Sequence, residues 1–217
     1  MDEIVTVFAN AYRSERLVYR DIENSDADKE VMHTFGPANH VSWGLLSGRL
    51  FRDVSKKTNL EELGKLLETD LLLKVLICLP APTEETAELG QLSLGERGGR
   101  ERETATVIGS LTLSAVSGSL NAITTTVGLA IGEMYQNNGY GGEAINWAVD
   151  WAFKFANVHK VEIATSSFNE RAIHLYQKLG FKLEGRKREV FYVNRKYHDL
   201  LQFGMLESEW KELRGVE

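Results

Sequence analysis

The chain has 217 residues, 43% of them hydrophobic, and a formal net charge of −6. That length suits one domain, or one domain with a large insertion, and the apolar share is ample for a core. The acidic balance argues against broad nucleic-acid binding and favours a cationic small substrate. No run is long and apolar enough to span a bilayer, and Met1-Asp-Glu-Ile-Val lacks the basic start of a secretory signal. The expectation is an intracellular, cytoplasmic protein without membrane association. Cys78 is the only cysteine, so no intrachain disulfide or cysteine metal cluster can form, and a buried small hydrophobe is its plain reading.

Ser14 to Arg20 alternates polar and apolar residues and predicts a first, half-buried strand. Asp26 to Thr34 predicts a short helix ending near Phe35-Gly-Pro37. His40 to Asp53 carries Trp43, Leu45, Leu46, Leu50 and Phe51 and reads as core ahead of a pocket-lining amphipathic helix. Leu60, Leu63, Leu66 and Leu67 have helix periodicity over Leu60 to Thr69, and Leu71 to Leu79 follows as a strand. Residues 80–103, rich in glycine and charge, predict a mobile insertion between two strands of one domain. Thr106 to Ser114 and Leu120 to Ile131 predict a hairpin turning at Ser117-Gly118-Ser119.

The stretch Ile131 to Ala144 organises the second half of the chain. It joins a Thr-rich apolar strand, Ile123 to Ile131, to a helix over Glu143 to Phe155 through Gly139, Gly141 and Gly142. The predicted helix stripe is Ala144, Ile145, Ala148, Trp151, Ala152 and Phe155. Glycines let the main chain approach a ligand closely, and a helix start offers unpaired N–H groups and a positive dipole end, so the junction reads as a phosphate site. Val161 to Thr165 is then a strand, Asn169 to Leu179 a helix stopped by Gly180, and Phe181 to Leu183, Val190 to Val193 and Leu200 to Leu206 close the chain as strands. The outline is an α/β layer fold with a mixed sheet.

Gly139-Tyr-Gly141-Gly-Glu-Ala144 also fits G-x-G-x-x-A, with Glu162 where a ribose-binding acid would stand. A dinucleotide-binding domain would need several further βα units, and the upstream chain is dominated by hairpin-like strands. No G-x-x-x-x-G-K-[ST] occurs.

A second pattern accounts for more residues. Gln136-Asn-Asn-Gly139-Tyr-Gly141 matches [QR]-x-x-G-x-[GA], and Asn169-Glu-Arg-Ala172-Ile-His-Leu-Tyr176-Gln-Lys-Leu-Gly180-Phe181 matches N-x-x-A-x-x-x-Y-x-x-x-G-F. In that order the two resemble the Gcn5-related N-acetyltransferases (GNAT). Ser14 to Arg20, Phe191 to Asp199 and Leu206 to Trp210 are similar to the branch holding ribosomal-protein and spermidine acetyltransferases. The insertion at 80–103 departs from that compact pattern.

The resemblance implies a mixed, mostly antiparallel central sheet flanked by helices, with a splayed strand pair holding acetyl-CoA. Asn137, Asn138, Gly139, Tyr140, Gly141 and Gly142 would offer backbone N–H groups to its pyrophosphate, and Gln136 would brace the loop. The backbone of Val127, Leu129 and Ile131 would pair with pantetheine. Asn169 would bond the pantetheine arm, and Tyr176 would protonate the departing thiolate. Plainer roles exist too: Asn169 is a good helix N-cap and Tyr176 could be a packed core aromatic.

The base stays open. Glu133 lies two residues past the strand and is one candidate; Glu162 through a water, His174 and His198 are others, while Glu143 reads as a first-turn acid complementing the helix dipole. No metal-ligand spacing occurs, so no metal is expected. Lys182, Arg186, Lys187, Arg188, Arg195 and Lys196 read as a solvated basic hairpin, at the acceptor mouth or at a homodimer contact, rather than as a nucleic-acid surface. The implied reaction is direct acetyl transfer from acetyl-CoA to a primary amine, either a small molecule or a protein N-terminus, in a ternary complex. The competing expectation is a catalytically silent acyl-CoA-binding or scaffolding domain.

Overall fold

A computed structural model describes residues 2–35, 55–80, 105–114, 117–119 and 122–216. The expectations for His40 to Asp53 and, beyond Pro80, for the insertion at 80–103 lie outside the described residues. In chain order the elements are α1 (Asp2–Ala9), β1 (Val18–Asp21), α2 (Asp26–Phe35), α3 (Lys56–Glu68), β2 (Leu73–Leu79), β3 (Thr106–Leu113), β4 (Ser117–Ser119) and β5 (Ala122–Ile131). After a 3-10 turn (Glu133–Tyr135) come α4 (Tyr140–Phe155), β6 (Lys160–Ser166), α5 (Glu170–Lys178), β7 (Lys182–Val193), β8 (Lys196–Leu206) and α6 (Glu207–Arg214).

The strands form one eight-stranded sheet in the order β1-β2-β3-β5-β6-β8-β7, with β4 paired to the start of β5. Every pairing is antiparallel except β5 with β6. The fold is therefore the mixed, mostly antiparallel α/β sheet flanked by helices that the sequence predicts.

Val75, Ile77, Ile108, Leu111, Leu113, Val161, Ile163, Phe203 and Met205 point to one side of the sheet and form the main core with α4. A smaller cluster of Ile22, Met32, Leu67, Leu76 and Cys78 covers the other side. Successive residues of β2 alternate between the two clusters, as a pleated strand buried on both faces requires. Cys78 is a buried member of the smaller cluster, and burial pushes its thiol pKa up.

Four expectations need correction. Ser117-Gly118-Ser119 is a short strand paired with Ala122 to Thr124, so the chain does not turn there. The helix begins at Tyr140 rather than Glu143, because Gly139 takes the left-handed conformation (φ 82°) and starts the helix directly. Its buried face is broader than the predicted stripe: Trp147, Val149 and Phe153 are buried, whereas Phe155 is exposed. A helix laid across a twisted sheet and flanked by the N-terminal segment and α6 buries more than one stripe.

The end of the chain holds two long strands, not three short ones. Phe181 stands just before β7, which runs unbroken through residues 182–193 because its register shifts against β8 between Lys187 and Phe191, a bulge. Asp199 holds the bulge by accepting from Glu189 N–H (2.8 Å) and from the Arg186 guanidinium. Two predicted edges also move: Ser14 to Leu17 precedes β1 as irregular chain, and α3 starts four residues early at Lys56, capped by Ser55.

Candidate active site

The parallel seam between β5 and β6 pairs Thr124, Thr125 and Thr126 with Lys160, Val161 and Glu162, and stops there. Beyond it β5 stays paired with β3 through Ile131, while β6 continues against β8 through Ser166. The two strands splay, and a wedge opens between them.

Which backbone groups face the wedge follows from strand parity. Ser114 N–H donates to the Thr126 carbonyl (3.0 Å) and Gly132 N–H to the Ile108 carbonyl (2.8 Å), so even-numbered residues of this stretch turn their amides toward β3. The amides and carbonyls of Val127, Leu129 and Ile131 turn the other way. The Gln136 side-chain amide donates to the Ile131 carbonyl (2.9 Å), closing the far end of this row.

A cleft of about 360 Å³ occupies this opening. Leu129, Ala130 and Ile131 line it from β5, and Tyr135, Gln136, Asn137, Gly139, Gly141 and Gly142 from the loop and helix start. From across the wedge come Asn169, Arg171, Ala172, His174, Leu175 and Tyr176. Of the residues singled out in the sequence, Val127, Asn138, Tyr140 and Glu133 lie outside this lining. Val127 buries its side chain in the core, and Glu133 sits exposed on the 3-10 turn.

Local chemistry explains the loop. Asn137 (φ 64°) and Gly139 (φ 82°) both occupy the left-handed region, which asparagine tolerates and glycine prefers. Asn138 Nδ2 donates back to the Gln136 carbonyl (3.0 Å), tightening the turn. No side chain caps α4, so the N–H groups of its first turn, at Tyr140, Gly141 and Gly142, have no partner within the helix. A Cβ on Gly141 would meet Leu129 and Ile131 at ordinary contact distances of 3.5 and 3.9 Å, on the cleft side. A Cβ on Gly142 would stand 3.2 Å from Leu175, where α4 and α5 approach each other.

Across the wedge, Asn169 caps α5 by accepting from Ala172 N–H (3.2 Å), which leaves its NH₂ group outside the cap. Tyr176 lines the cleft yet is 8% exposed, its ring edge-on to Phe203 (5.7 Å) and tilted against Phe181 (6.3 Å). Burial pushes its phenol pKa up to about 12. The hydroxyl is thus held protonated at neutral pH.

Arg171 is a lining residue that no motif position flagged: its Nη2 donates to the Gln136 Oε1 (3.2 Å), spanning the mouth of the wedge. Its one sequence signal is its place in the first turn of α5, where a cation is not favoured by the helix dipole. Of the remaining base candidates, His174 lines the cleft, Glu162 is paired with Lys160 (3.0 Å) and His198 packs against Phe168 (5.0 Å). In the basic hairpin, Lys182 and Arg186 are paired with Glu209 and Asp199.

Among the described residues, no group of three or more His, Cys, Asp or Glu side chains is placed to hold a metal ion. No described helix is long and apolar enough to cross a membrane.

The sequence profile of the Acetyltransferase (GNAT) family matches residues 82–181, which include β5, the glycine loop, α4, β6 and α5. Spermidine N(1)-acetyltransferase of Vibrio cholerae is 33% identical over 82 residues, 38% of this chain and 47% of that protein. A putative ribosomal N-acetyltransferase of Bacillus subtilis, YdaF, is 28% identical over 85 residues, 39% of this chain and 46% of that one. The chain thus spans about half the length of the curated relatives it matches.

Solved structures extend the likeness of fold. A Vibrio cholerae spermidine N-acetyltransferase in complex with CoA and spermine superposes with a TM-score of 0.68 at 20% identity, covering 91% of this chain and 99% of that one. A Bacillus anthracis acetyltransferase of the GNAT family gives 0.64 at 16% identity, covering 91% and 98%. Sheet order, the splayed seam and the glycine loop agree with that likeness, and residues 82–181 match the Acetyltransferase (GNAT) family.

Proposed function

We propose that the protein is an N-acetyltransferase that moves the acetyl group of acetyl-CoA directly to a primary amine. The observation that carries this reading is one cleft holding three things: unpaired β5 backbone groups, an uncapped glycine-rich helix start, and a buried tyrosine hydroxyl. Each suits a different part of the donor. The first-turn N–H groups of α4 and the positive end of its dipole would take the pyrophosphate, with Arg171 supplying charge at the mouth. Leu129 and Ile131 would pair with the amide groups of pantetheine as a further strand would, and the Asn169 NH₂ group would donate to the same arm.

The chemistry is set by what the thioester requires. The amine attacks the acetyl carbonyl carbon and a C–N bond forms; a β5 amide facing the wedge would stabilise the oxyanion. As the C–S bond breaks, the thiolate takes the Tyr176 proton and leaves as CoA thiol. An ordinary thiol is the stronger acid of the two, so this transfer is uphill by itself and is completed as Tyr176 regains a proton from solvent. A cationic acceptor loses one proton to water before it attacks and a second from the same nitrogen as the tetrahedral adduct collapses to the amide, and Tyr176 is reprotonated from solvent after release. Glu133 stands exposed and outside the lining, and no step is assigned to it.

The acceptor we propose is a small cationic amine. The net charge of −6 would draw such a molecule in, and relatives named spermidine N(1)-acetyltransferase point the same way. The test is thiol release from acetyl-CoA over a panel of polyamines, other small amines and peptide N-termini, beside calorimetric CoA binding. Turnover with a polyamine supports the reading, and turnover with peptides alone would shift the acceptor class. Tight CoA binding without turnover anywhere would leave the silent acyl-CoA-binding domain.

A further inference from the structure

The face of the glycine loop turned away from the cleft is built as closely as the face turned toward it. Glu143, in the first turn of α4, accepts from Ser14 Oγ (2.6 Å), Arg16 N–H (2.7 Å) and Arg16 Nε (2.8 Å). The same Arg16 donates through Nη1 to the Asn138 carbonyl (3.0 Å) and lies over the Tyr140 ring at 4.8 Å. Its Nη2 stands 3.2 Å from where a Cβ of Gly139 would be. One guanidinium thus touches Asn138, Gly139, Tyr140 and Glu143 in turn.

The segment carrying Arg16 is itself fixed to α4. Tyr19 stacks on Trp147 (centroids 3.5 Å apart, planes 9° apart), Ser14 Oγ bonds the Tyr19 hydroxyl (3.0 Å), and Trp147 Nε1 donates to the Ala11 carbonyl (2.9 Å).

This arrangement resolves an electrostatic conflict. A carboxylate in the first turn of a helix competes with any anionic ligand for the positive dipole end, and repels it. Glu143 is held at the start of the helix whose N–H groups face the cleft, so an uncompensated charge there would oppose a phosphate. Arg16 cancels that charge, and its planar fork fixes the loop carbonyl and the carboxylate together.

We propose that Arg16 is a positioning residue for donor binding: it neutralises Glu143 and pre-shapes the loop Asn138 to Tyr140 so that the phosphates of CoA meet ordered N–H groups rather than a bare carboxylate. This rests on the acetyl-CoA reading above. A half-exposed ion pair adds little to global stability, so the contribution appears in the ligand.

The test compares CoA affinity by calorimetry in the full chain and in R16M, E143Q and R16M/E143Q. R16M keeps an unbranched side chain but removes the guanidinium and leaves Glu143 bare, and its Kd rises about tenfold or more. E143Q can still accept from Ser14 and Arg16, and its Kd changes by less than about threefold. The double variant binds CoA more tightly than R16M alone, because the repelling charge has gone. KM for acetyl-CoA rises in R16M while KM for S-acetylpantetheine, which lacks the diphosphate and nucleotide, stays put; a merely structural defect would raise both.

Unchanged CoA affinity in R16M, or a double variant no tighter than R16M, overturns the proposal. Should the native chain bind no CoA, it is the acetyl-CoA reading that falls. Hydrogen exchange at the amides of Asn138 to Gly142 then decides the brace by itself: faster exchange in R16M supports it, and unchanged exchange overturns it.

Discussion

The two halves of β5 share one strand, yet they do opposite things. Thr124 to Thr126 is paired with β6 on one edge, while β4 and Ser114 bond the other edge of this half. Val127 to Ile131 keeps its β3 partner and loses β6. The first half is ordinary sheet; the second is a strand edge buried inside the molecule and lining a cleft. An unpaired row of backbone groups in the middle of a sheet is costly unless water or a ligand satisfies it. The difference between the halves is therefore where function is to be sought, and variants can attack it from either end.

The largest effect is expected at the loop that holds the wedge open. Gly139→Val places a β-branched residue at φ 82°, a conformation such residues essentially never adopt. Left-handed strain alone costs about 1–2 kcal/mol. With the loop displaced, CoA affinity by calorimetry should fall about a hundredfold or more. Normal binding would show that the loop is not part of the site.

Next comes Tyr176→Phe, which leaves the wedge as it is and removes the proton donor. Turnover should fall by about one to three decades with CoA affinity little changed. Unaltered turnover, with chemistry shown to be rate-limiting, removes Tyr176 from the acid role. The same residue makes a pH prediction: a phenol raised to about 12 keeps its proton across the assay range, so kcat has no alkaline limb from Tyr176 below about pH 10. A fall in kcat between pH 8 and 10 that vanishes in the Phe variant would contradict the assignment.

A smaller change is expected from Arg171→Gln, which removes the charge at the mouth of the wedge while keeping a side chain able to reach Gln136. KM for acetyl-CoA should rise about three- to tenfold, with no rise for S-acetylpantetheine. Equal rises for both donors would place Arg171 in a structural role only.

The smallest effect concerns stability. Burial raises the Glu143 pKa, but the bonds from Ser14 and from the Arg16 amide and guanidinium outweigh it, and the net shift is downward. A carboxyl with a lowered folded pKa contributes stability that is present above its ordinary value and lost as pH falls through the lowered one. Thermal melting of E143Q should therefore lie below that of the native chain at neutral pH by a degree or two (~1 kcal/mol or less), and the two should converge as pH falls through the lowered carboxyl pKa.

The sequence was informative about local order and silent about distant contact. Helix and strand periods locate α4, β6 and α5 to within a few residues, and the loop and helix signatures bring Gln136, the glycines, Asn169 and Tyr176 into one cleft. These are features that a short stretch of chain writes into itself. Arg16 is different: it meets Glu143 from 127 residues away, and nothing in either residue's own neighbourhood announces the pairing. The same holds for the bulge in β7, which depends on Asp199 reaching back to Glu189, and for β4, whose Ser-Gly-Ser looks like a turn and is a strand only because β5 lies beside it. Glu133 is named as a base candidate by its closeness in sequence to the end of β5, and it stands exposed on the 3-10 turn, outside the cleft lining.

The most direct test of the contrast between the halves of β5 is backbone amide hydrogen exchange, residue by residue, with and without CoA. Gly128 and Ala130 face β3 and should be protected in both states. Leu129 and Ile131 face the wedge and should exchange quickly in the free protein, then become protected when CoA binds, together with the amides of Tyr140 to Gly142. Protection of Leu129 and Ile131 that CoA does not change, or CoA protection confined to another part of the sheet, would contradict the account.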